Sequence, residues 1–308
     1  MRTLGHGIFI TASLLLAISG PTATAELTAE QRQVPLEVIP ADAAAAKVVL
    51  VAGTPSNKPG QHEYFAGCAL MMEWLKSIDG VAPVMVAEGW PKNESVFDGA
   101  RCVLLFMDGG AKLPFLDSMR LGRMRALAAA GTGLVILHQA IDCPPEHAAD
   151  FKQWFGAVFQ SDIGCRGHWD VEFSEIGTHP ILGGVKPFSL VKDGWLYNLH
   201  FAAASVSHLL KASMPDSSRK TEDAKANSGR AETVAWAFER PDGGRSFGFT
   251  GADLHGNWAE DNQRRILLNG ILWAAKVEVP SGGVDSICTP AMLGRNLDRK
   301  IFAAKAKK

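Results

Sequence analysis

Residues 133–142 read GLVILHQAID, and this stretch decides the fold class. Five apolar residues stop abruptly at His138, which is typical of a strand that is buried on both faces and ends at the rim of a sheet. Three earlier stretches have the same character: Lys47–Ala52 (KVVLVA), Pro83–Ala87 (PVMVA) and Arg101–Met107 (RCVLLFM). Apolar residues at helical spacing between and after them predict helices over His62–Ile78, Ser118–Ala130 and Pro145–Ala157. This alternation predicts an α/β domain with a mainly parallel sheet covered by helices on both faces.

The rhythm changes beyond residue 168, where short strand-like runs follow one another with little helix between them. These runs are Trp169–Phe173, Leu196–Phe201, Leu209–Ala212, Thr233–Glu239 and Ser246–Thr250. They predict an antiparallel extension of the same sheet. The pattern of Glu260–Ala275 predicts a closing helix, and the charged segment Ser217–Ala231 predicts an exposed loop. Without an internal repeat or a linker, we expect one domain over 46–280 and a solvated tail over 281–308.

The charge balance excludes a dedicated nucleic-acid-binding protein. The 308 residues include 31 Lys and Arg against 32 Asp and Glu, so the net charge is −1. Nucleic-acid-binding domains usually carry a basic stripe, which this composition does not supply. Apolar residues make up 47% of the chain, which is enough for a buried core and too much for a disordered protein.

The first 25 residues have the features of a cleavable signal peptide. Arg2 is followed by the apolar segment Ile8–Ile18, which is too short to span a bilayer, and Ala23-Thr24-Ala25 matches a cleavage site. We predict cleavage after Ala25 and a periplasmic or secreted protein of 283 residues (308 minus 25), with no membrane attachment after cleavage. Residues 26–45 then form a polar, Ala-rich lead-in.

The five cysteines leave the disulfide pattern open. Because their number is odd, one thiol must stay unpaired unless it bridges to another chain. Cys143 and Cys165 lie in loop-like sequence and could pair, whereas Cys68 and Cys102 lie in apolar patterns typical of buried thiols. No C-x-x-C pair is present, so a zinc ribbon or a thioredoxin-type site is excluded.

Imidazole and carboxylate side chains concentrate where the predicted parallel strands end. Ligands of open α/β sheets bind at the carboxyl ends of the strands. Four segments should meet there, and they carry His62 and Glu63, then Asp108, then His138 and Asp142, and finally Asp253, His255, Asn257 and Trp258. We therefore expect a ligand site at this edge of the sheet.

His138 occupies the position of greatest interest in this group. A residue on a tight turn after a buried strand is held rigidly at the pocket mouth, as in a nucleophile elbow. Because no Ser or Cys stands directly beside His138, covalent acyl chemistry is disfavoured, and its imidazole suits acid–base catalysis or metal binding. A packed histidine bonded to backbone is the structural alternative.

A metal site is a further alternative that the residue types allow. His62, His138 and His255, with one of Glu63, Asp142 or Asp253, would form a plausible ligand set. No compact motif such as H-E-x-x-H is present, so we predict a site without a cofactor.

At these same residues the chain resembles the ThuA-like (trehalose-utilisation) family. The matching stretches are residues 50–67, 96–110, 133–142, 178–188, 193–201, 234–258 and 264–280. The resemblance implies a flavodoxin-like, class I glutamine-amidotransferase-like three-layer sandwich over 46–280. It places His138 where amidotransferases carry their catalytic Cys and the segment of His255 near their triad His, so glutamine hydrolysis is not expected. The chain departs from the family pattern at Asn57, Tyr64 and Asp253, where His is common.

The resemblance also implies carbohydrate catabolism, including disaccharides oxidised at carbon 3. We expect an extracytoplasmic enzyme that acts on a small-molecule carbohydrate or keto sugar by acid–base chemistry. The expected catalytic residues are His138, His255, Glu63 and Asp142. The expected substrate-binding residues are His62, Asp108, Tyr197, Asn198, Asp253, Asn257 and Trp258.

The alternative is a non-catalytic carbohydrate-binding or scaffold domain of the same fold. Aromatic side chains lining the pocket (Trp195, Tyr197 and Trp258) without a close His–His or His–carboxylate pair would favour it. The sequence assigns neither the oligomeric state nor the identity of the sugar.

Overall fold

The computed structural model describes residues 26–202 and 205–300, and the predicted signal peptide lies outside them. The strands are β1 (Ala46–Ala52), β2 (Val81–Val86), β3 (Cys102–Phe106), β4 (Gly133–Leu137), β5 (Ala157–Val158), β6 (Cys165–Phe173), β7 (Phe188–Tyr197), β8 (His200–Phe201), β9 (Val206–Ser213), β10 (Ala231–Glu239) and β11 (Arg245–Phe249). The α-helices are α1 (Tyr64–Leu75), α2 (Ser118–Ala129), α3 (Ala148–Phe155), α4 (Glu222–Ala226), α5 (Asp261–Ala274) and α6 (Pro290–Leu293). Within these residues, each helix is too short or too polar to cross a lipid bilayer.

A seven-stranded sheet with the order β2-β1-β3-β4-β11-β10-β9 forms the centre of the domain. The first five strands in this order are parallel to one another. Successive residues of β1 point to opposite faces, so Val48 and Leu50 pack in the core beneath α1 and α5 while Val49 and Val51 pack beneath α2 and α3. The predicted three-layer α/β architecture is confirmed.

The antiparallel extension is shorter than the sequence predicts. Only β10 and β9 extend the sheet in antiparallel pairing, whereas β11 joins β4 in parallel. The runs around residues 169 and 196 instead belong to a separate hairpin of β6 and β7, which contacts the 3-10 turns His138–Ile141 and His255–Ala259. A short strand pattern predicts pairing but not the partner, because the partner depends on how the connecting chain crosses the sheet.

The segment predicted as an exposed loop, 217–231, is in fact anchored to the domain. It contains α4, and the Arg219 side chain is buried against Glu232 of β10 with an Nη1–Oε1 distance of 2.7 Å. The charged composition of this segment predicted a solvated loop. A buried ion pair cannot be recognised from one of its members before the position of the other is known.

The C-terminal tail is held against the domain, and the cysteines are unpaired. Residues 281–300 were expected to be solvated, but Val284 is buried and Lys300 forms an ion pair with Glu63 at 3.1 Å. All five cysteines lie in the described residues and are free thiols, so Cys143 and Cys165 do not pair.

Candidate active site

A cavity of about 200 Å³ opens at the carboxyl ends of the parallel strands. Its walls come from the loop after β1, the turn after β4, the hairpin β6–β7 and the segment after β11. The lining residues are Asn57, His62, His138, Gln139, Arg166, Gly167, His168, Gly194, Trp195, Leu196 and Asp253. A pocket therefore lies at the edge of the sheet where the sequence predicts a ligand site.

His138 follows β4 directly and is held in a strained turn. Its φ of +53° is the left-handed conformation that non-glycine residues rarely adopt. The ring is buried, and its Nδ1 lies 3.0 Å from the carbonyl oxygen of Thr250. Burial lowers the pKa of His138 to about 4, against the opposing charge of Asp253. The imidazole is thus a fixed, neutral group at the floor of the pocket.

His62 enters the pocket from the loop after β1. The predicted helix begins two residues later than expected, at Tyr64, because His62 has a φ of +50° and Glu63 is also non-helical. The His62 Nδ1 lies 2.7 Å from Ser56 Oγ and 3.0 Å from Asp108 Oδ1. Its Nε2 lies 3.2 Å from the Nε2 of His138. The two imidazoles therefore meet through their Nε2 atoms, with the ring planes inclined at 72°.

Asp108 is the carboxylate behind His62. Its Oδ1 accepts hydrogen bonds from Ser56 and from Tyr64 Oη at 2.7 Å, and its Oδ2 accepts one from Lys112. Burial by itself would raise the pKa of Asp108, but the hydrogen bonds from His62, Lys112, Tyr64 and Ser56 hold it well below its usual range. Asp108 is thus an ionised group that orients the His62 ring.

Asp253 joins the two histidines from the segment after β11. Its Oδ2 accepts hydrogen bonds from Gln61 Nε2 at 2.9 Å and from His168 Nε2 at 2.6 Å. Its buried Oδ1 receives no hydrogen bond from any described residue, although it lies 3.3 Å from His62 Nε2 and 3.7 Å from His138 Nε2. His62, His138 and Asp253 form the one set of described residues whose ligand atoms converge as in a metal site.

Among the pocket residues that the sequence interpretation missed, Arg166 and His168 carry ionisable side chains. Both lie on β6, and their side chains are 41% and 48% exposed at the pocket rim. Arg166 forms an ion pair with Asp142 at 2.8 Å, which turns the Asp142 carboxylate toward the rim. The polar–apolar alternation of β6 indicates that Arg166 and His168 lie on one face of a strand. That this face borders the pocket follows only from the position of the β6–β7 hairpin.

Eight of the eleven expected site residues lie outside the pocket lining. Asp108 stands behind His62 and Asp142 pairs with Arg166 at the rim, whereas the other six lie elsewhere. The Nε2 of His255 donates a hydrogen bond to Leu293 O at 2.9 Å, and its buried position against the C-terminal segment removes it from the His62–His138 pair. Glu63 accepts hydrogen bonds from the backbone of Gly60 and Asp298, which ties the tail to the loop after β1. Asn257 donates to Val191 O, and Trp258 is buried beside Trp74.

Tyr197 and Asn198 are also placed elsewhere. The Tyr197 hydroxyl lies 2.7 Å from Ser218 Oγ, and the Asn198 side chain donates to Asp223 and to the carbonyl of Ile163. Both therefore support the segment around α4 rather than the pocket. The expectation from the family resemblance is wrong here: Leu196 lines the pocket, whereas Tyr197, the next residue of β7, points to the other side of the strand.

Comparison with known proteins gives a consistent result. The sequence model of the ThuA family, described as trehalose utilisation, matches residues 61–274. No curated protein sequence matches the chain.

Two ThuA-like proteins of known structure share the fold at low identity. A ThuA-like protein from Parabacteroides merdae has 17% identity and a TM-score of 0.54, with 75% of this chain and 90% of that chain covered. A ThuA-like protein from Bacteroides uniformis has 14% identity and a TM-score of 0.53, with coverage of 75% and 92%. A glutamine amidotransferase from Thermotoga maritima matches at 10% identity and a TM-score of 0.36, with coverage of 75% and 96%.

Proposed function

The chain belongs to the ThuA family, and from this premise we propose that it is an extracytoplasmic enzyme acting on a carbohydrate or keto sugar. The reaction centre is the buried group of His62, His138 and Asp253, and the chemistry is proton transfer by a histidine. The family's description as trehalose utilisation supports the substrate class. The observation that carries the proposal is the 3.2 Å approach of two imidazole Nε2 atoms at the floor of a pocket.

His168 is the residue best suited to exchange a proton with the substrate. Its side chain is half exposed at the pocket rim, and its Nε2 lies 2.6 Å from Asp253 Oδ2. A carboxylate bonded to one ring nitrogen sets the tautomer and leaves the other nitrogen available. His168 thus takes the role that the sequence suggested for His255.

The pocket favours proton transfer over a covalent nucleophile. Its described lining contains histidines, amides and an arginine but no Ser, Thr or Cys. A base can remove the proton from a carbon next to a keto group, and the same imidazole can return it to the neighbouring carbon or to a departing oxygen. Arg166 and Gln139 offer N–H donors for the enolate oxygen that forms.

The size and polarity of the pocket agree with a sugar-sized substrate. A cavity of about 200 Å³ has room for about seven waters at roughly 30 Å³ each, comparable to one sugar ring. Asn57, Gln139 and Arg166 present groups that hydrogen-bond hydroxyls. Trp195 and Leu196 supply apolar surface for the ring face.

A non-catalytic binding domain is the less favoured function. Such a domain would call for several aromatic side chains in the pocket and for no close histidine pair. Tyr197 and Trp258 lie outside the lining, whereas His62 and His138 are in contact. These positions support an enzyme.

The test is turnover of parent and 3-keto disaccharides by the purified protein in D₂O, followed by proton NMR. We expect isomerisation or elimination of the keto sugar with exchange at the carbon beside the carbonyl. His168→Gln should slow this reaction by about 10²–10⁴-fold, whereas His147→Gln, which lies outside the pocket, should not. Sugar affinity without turnover or exchange would support the binding domain instead, and full activity of His168→Gln would remove His168 from the mechanism.

The extracytoplasmic location rests on the first 25 residues. Expression in a Gram-negative host followed by intact mass measurement of the periplasmic fraction tests it. We expect a chain that begins at Glu26, and recovery of only full-length protein from the cytoplasm would contradict the prediction.

A further inference from the structure

The Asp253 Oδ1 atom is buried and receives no hydrogen bond from the described residues. A buried carboxylate oxygen without a partner is costly, so native proteins rarely leave one. Its nearest polar neighbours are the Nε2 atoms of His62 and His138, at 3.3 Å and 3.7 Å. These three atoms therefore surround a space in which Asp253 Oδ1 has no hydrogen-bond donor.

The ring tautomers show that both Nε2 atoms present lone pairs. The Nδ1 of His138 faces the Thr250 carbonyl, which can only accept, so Nδ1 carries the hydrogen. The Nδ1 of His62 lies 3.0 Å from the Asp108 carboxylate, which again requires a hydrogen on Nδ1. With the hydrogen on Nδ1, the Nε2 of each ring is the nitrogen that remains to bind a proton or a metal ion.

The lone pairs of the two Nε2 atoms and of Asp253 Oδ1 thus converge and repel one another. A positively charged species between the three atoms would remove this repulsion. A proton on the His62 Nε2 can point to His138 or to Asp253 but cannot satisfy both. A metal ion satisfies all three atoms together. Zinc bonds of about 2.0–2.1 Å in tetrahedral geometry place neighbouring ligand atoms about 3.3–3.4 Å apart. The observed separations are 3.2, 3.3 and 3.7 Å.

We propose that His62 Nε2, His138 Nε2 and Asp253 Oδ1 bind one divalent transition-metal ion of the zinc class. Two imidazoles and one carboxylate form a ligand set typical of catalytic zinc, which keeps a further position open for water or substrate. All three residues line the pocket, so the open position faces the proposed substrate.

Hydrogen bonds behind the ligands support the site. Each ligand is oriented by a second group: Thr250 O at His138, Asp108 at His62, and His168 with Gln61 at Asp253. Such outer contacts fix ring tautomers and increase ligand basicity in metal sites. If the three ligand atoms had come together by chance, there would be no reason for each residue to have such an orienting partner.

The ion would deepen the proposed function without replacing it. When bound, it would supply positive charge to polarise a sugar oxygen. His168 bonds the other oxygen of Asp253, so its imidazole stays available for proton transfer. This consequence rests on the proposed function, but metal binding itself does not.

The test uses full-length mature protein that has been stripped with a chelator and titrated with Zn²⁺ by calorimetry, without substrate. We expect one ion per chain and a higher melting temperature. His62→Asn and His138→Asn keep a donor near the Nδ1 position and delete Nε2, so each should weaken zinc affinity by about 100-fold or more. His179→Asn is the matched control, since His179 caps a turn outside the pocket and should bind zinc like the wild type.

X-ray absorption of zinc-loaded wild type keeps the proposal testable where a variant fails to fold. Two imidazoles among the ligands are expected, and fewer than two would overturn the assignment. The proposal would also be overturned if every variant still bound zinc, or if the wild type bound none. A proton shared between the two imidazoles would then remain as the explanation. Because no sugar is present, failure of the enzymatic proposal would not alter these results.

Discussion

The Nε2 atoms of His62 and His138 lie 3.2 Å apart, although the residues are 76 positions apart in the chain. Both residues follow parallel strands, and β3 is the single strand between β1 and β4. The loop after β1 spans that distance and pairs with the segment after β11 through a bridge of Gln61 to Leu254. Both histidines have positive φ, so the loops hold them in conformations that the residues would not adopt alone.

Gly194→Ala should disrupt the site by displacing Asp253. A Cβ on Gly194 would lie 2.5 Å from Asp253 Oδ2, which is too close for any relaxation short of moving the carboxylate. We expect a loss of unfolding free energy of about 1–3 kcal/mol and weaker zinc binding, measured by urea unfolding and calorimetry. Gly256→Ala is the control because its Cβ would meet open space. Equal behaviour of the two variants would contradict the prediction.

His255→Gln should lower stability but keep activity. The imidazole contacts Leu293 O and packs against the tail, outside the pocket lining. We expect kcat within about 3-fold of the wild type, since the variant removes no group from the pocket, and a loss of about 1–2 kcal/mol on unfolding. Steady-state kinetics and thermal unfolding measure the two effects. A fall in kcat as large as that of His168→Gln would return His255 to the active site.

The two tyrosines of the chain offer a matched pair. Tyr64→Phe removes a hydrogen bond to the Asp108 carboxylate, and Tyr197→Phe removes one to Ser218. Each should destabilise the protein by about 1–2 kcal/mol in urea unfolding. Only Tyr64→Phe should also weaken zinc binding, because Asp108 orients His62. Equal zinc affinities would mean that this orientation does not depend on Tyr64.

Arg219→Met should be strongly destabilising because it leaves the buried Glu232 without its closest charge partner. Breaking a buried ion pair typically costs about 3–5 kcal/mol, and we expect the lower end of this range because Arg230 still lies 2.9 Å from the other carboxylate oxygen of Glu232. Lys225→Met breaks an exposed pair with Glu222 and should cost far less, because solvent screens that pair. Urea unfolding of both variants decides the matter, and a similar small loss in each would show that the segment 217–231 is not anchored as described.

Asp298→Asn should change the pH dependence of stability. Burial, with the nearby charge of Glu63, raises the pKa of Asp298 to about 6, although Lys300 and Gln31 act in the opposite direction. A raised folded-state pKa means that the favourable contribution is present below the unfolded pKa of about 4 and is lost as the pH rises through about 6. The variant, which has no charge to bury, should therefore equal the wild type at pH 4.

Above pH 7 the Asp298→Asn variant should be the more stable by on the order of 1 kcal/mol. Chemical unfolding at pH 4 and pH 8 measures the difference. Asp285→Asn is the control because its side chain is 91% exposed. A gain that is the same at both pH values would show that titration of Asp298 is not the cause.

The local pattern of apolar residues was sufficient to predict the parallel strands of the sheet. The apolar runs of β1, β3 and β4 carry their own signal, because a strand buried on both faces must be apolar throughout. The same reasoning located the pocket, since His62, Asp108 and His138 follow strands whose carboxyl ends share one edge. Local sequence thus predicted which edge of the sheet carries the site.

Tertiary structure alone decided which side chains meet there. His168 reaches the pocket because the β6–β7 hairpin pairs apart from the main sheet, and His255 leaves it because the tail packs against its ring. Both outcomes depend on contacts between segments distant in the chain, which no local period encodes. Strand burial is a property of neighbouring residues, whereas the convergence of Asp253 with two histidines is a property of the completed fold.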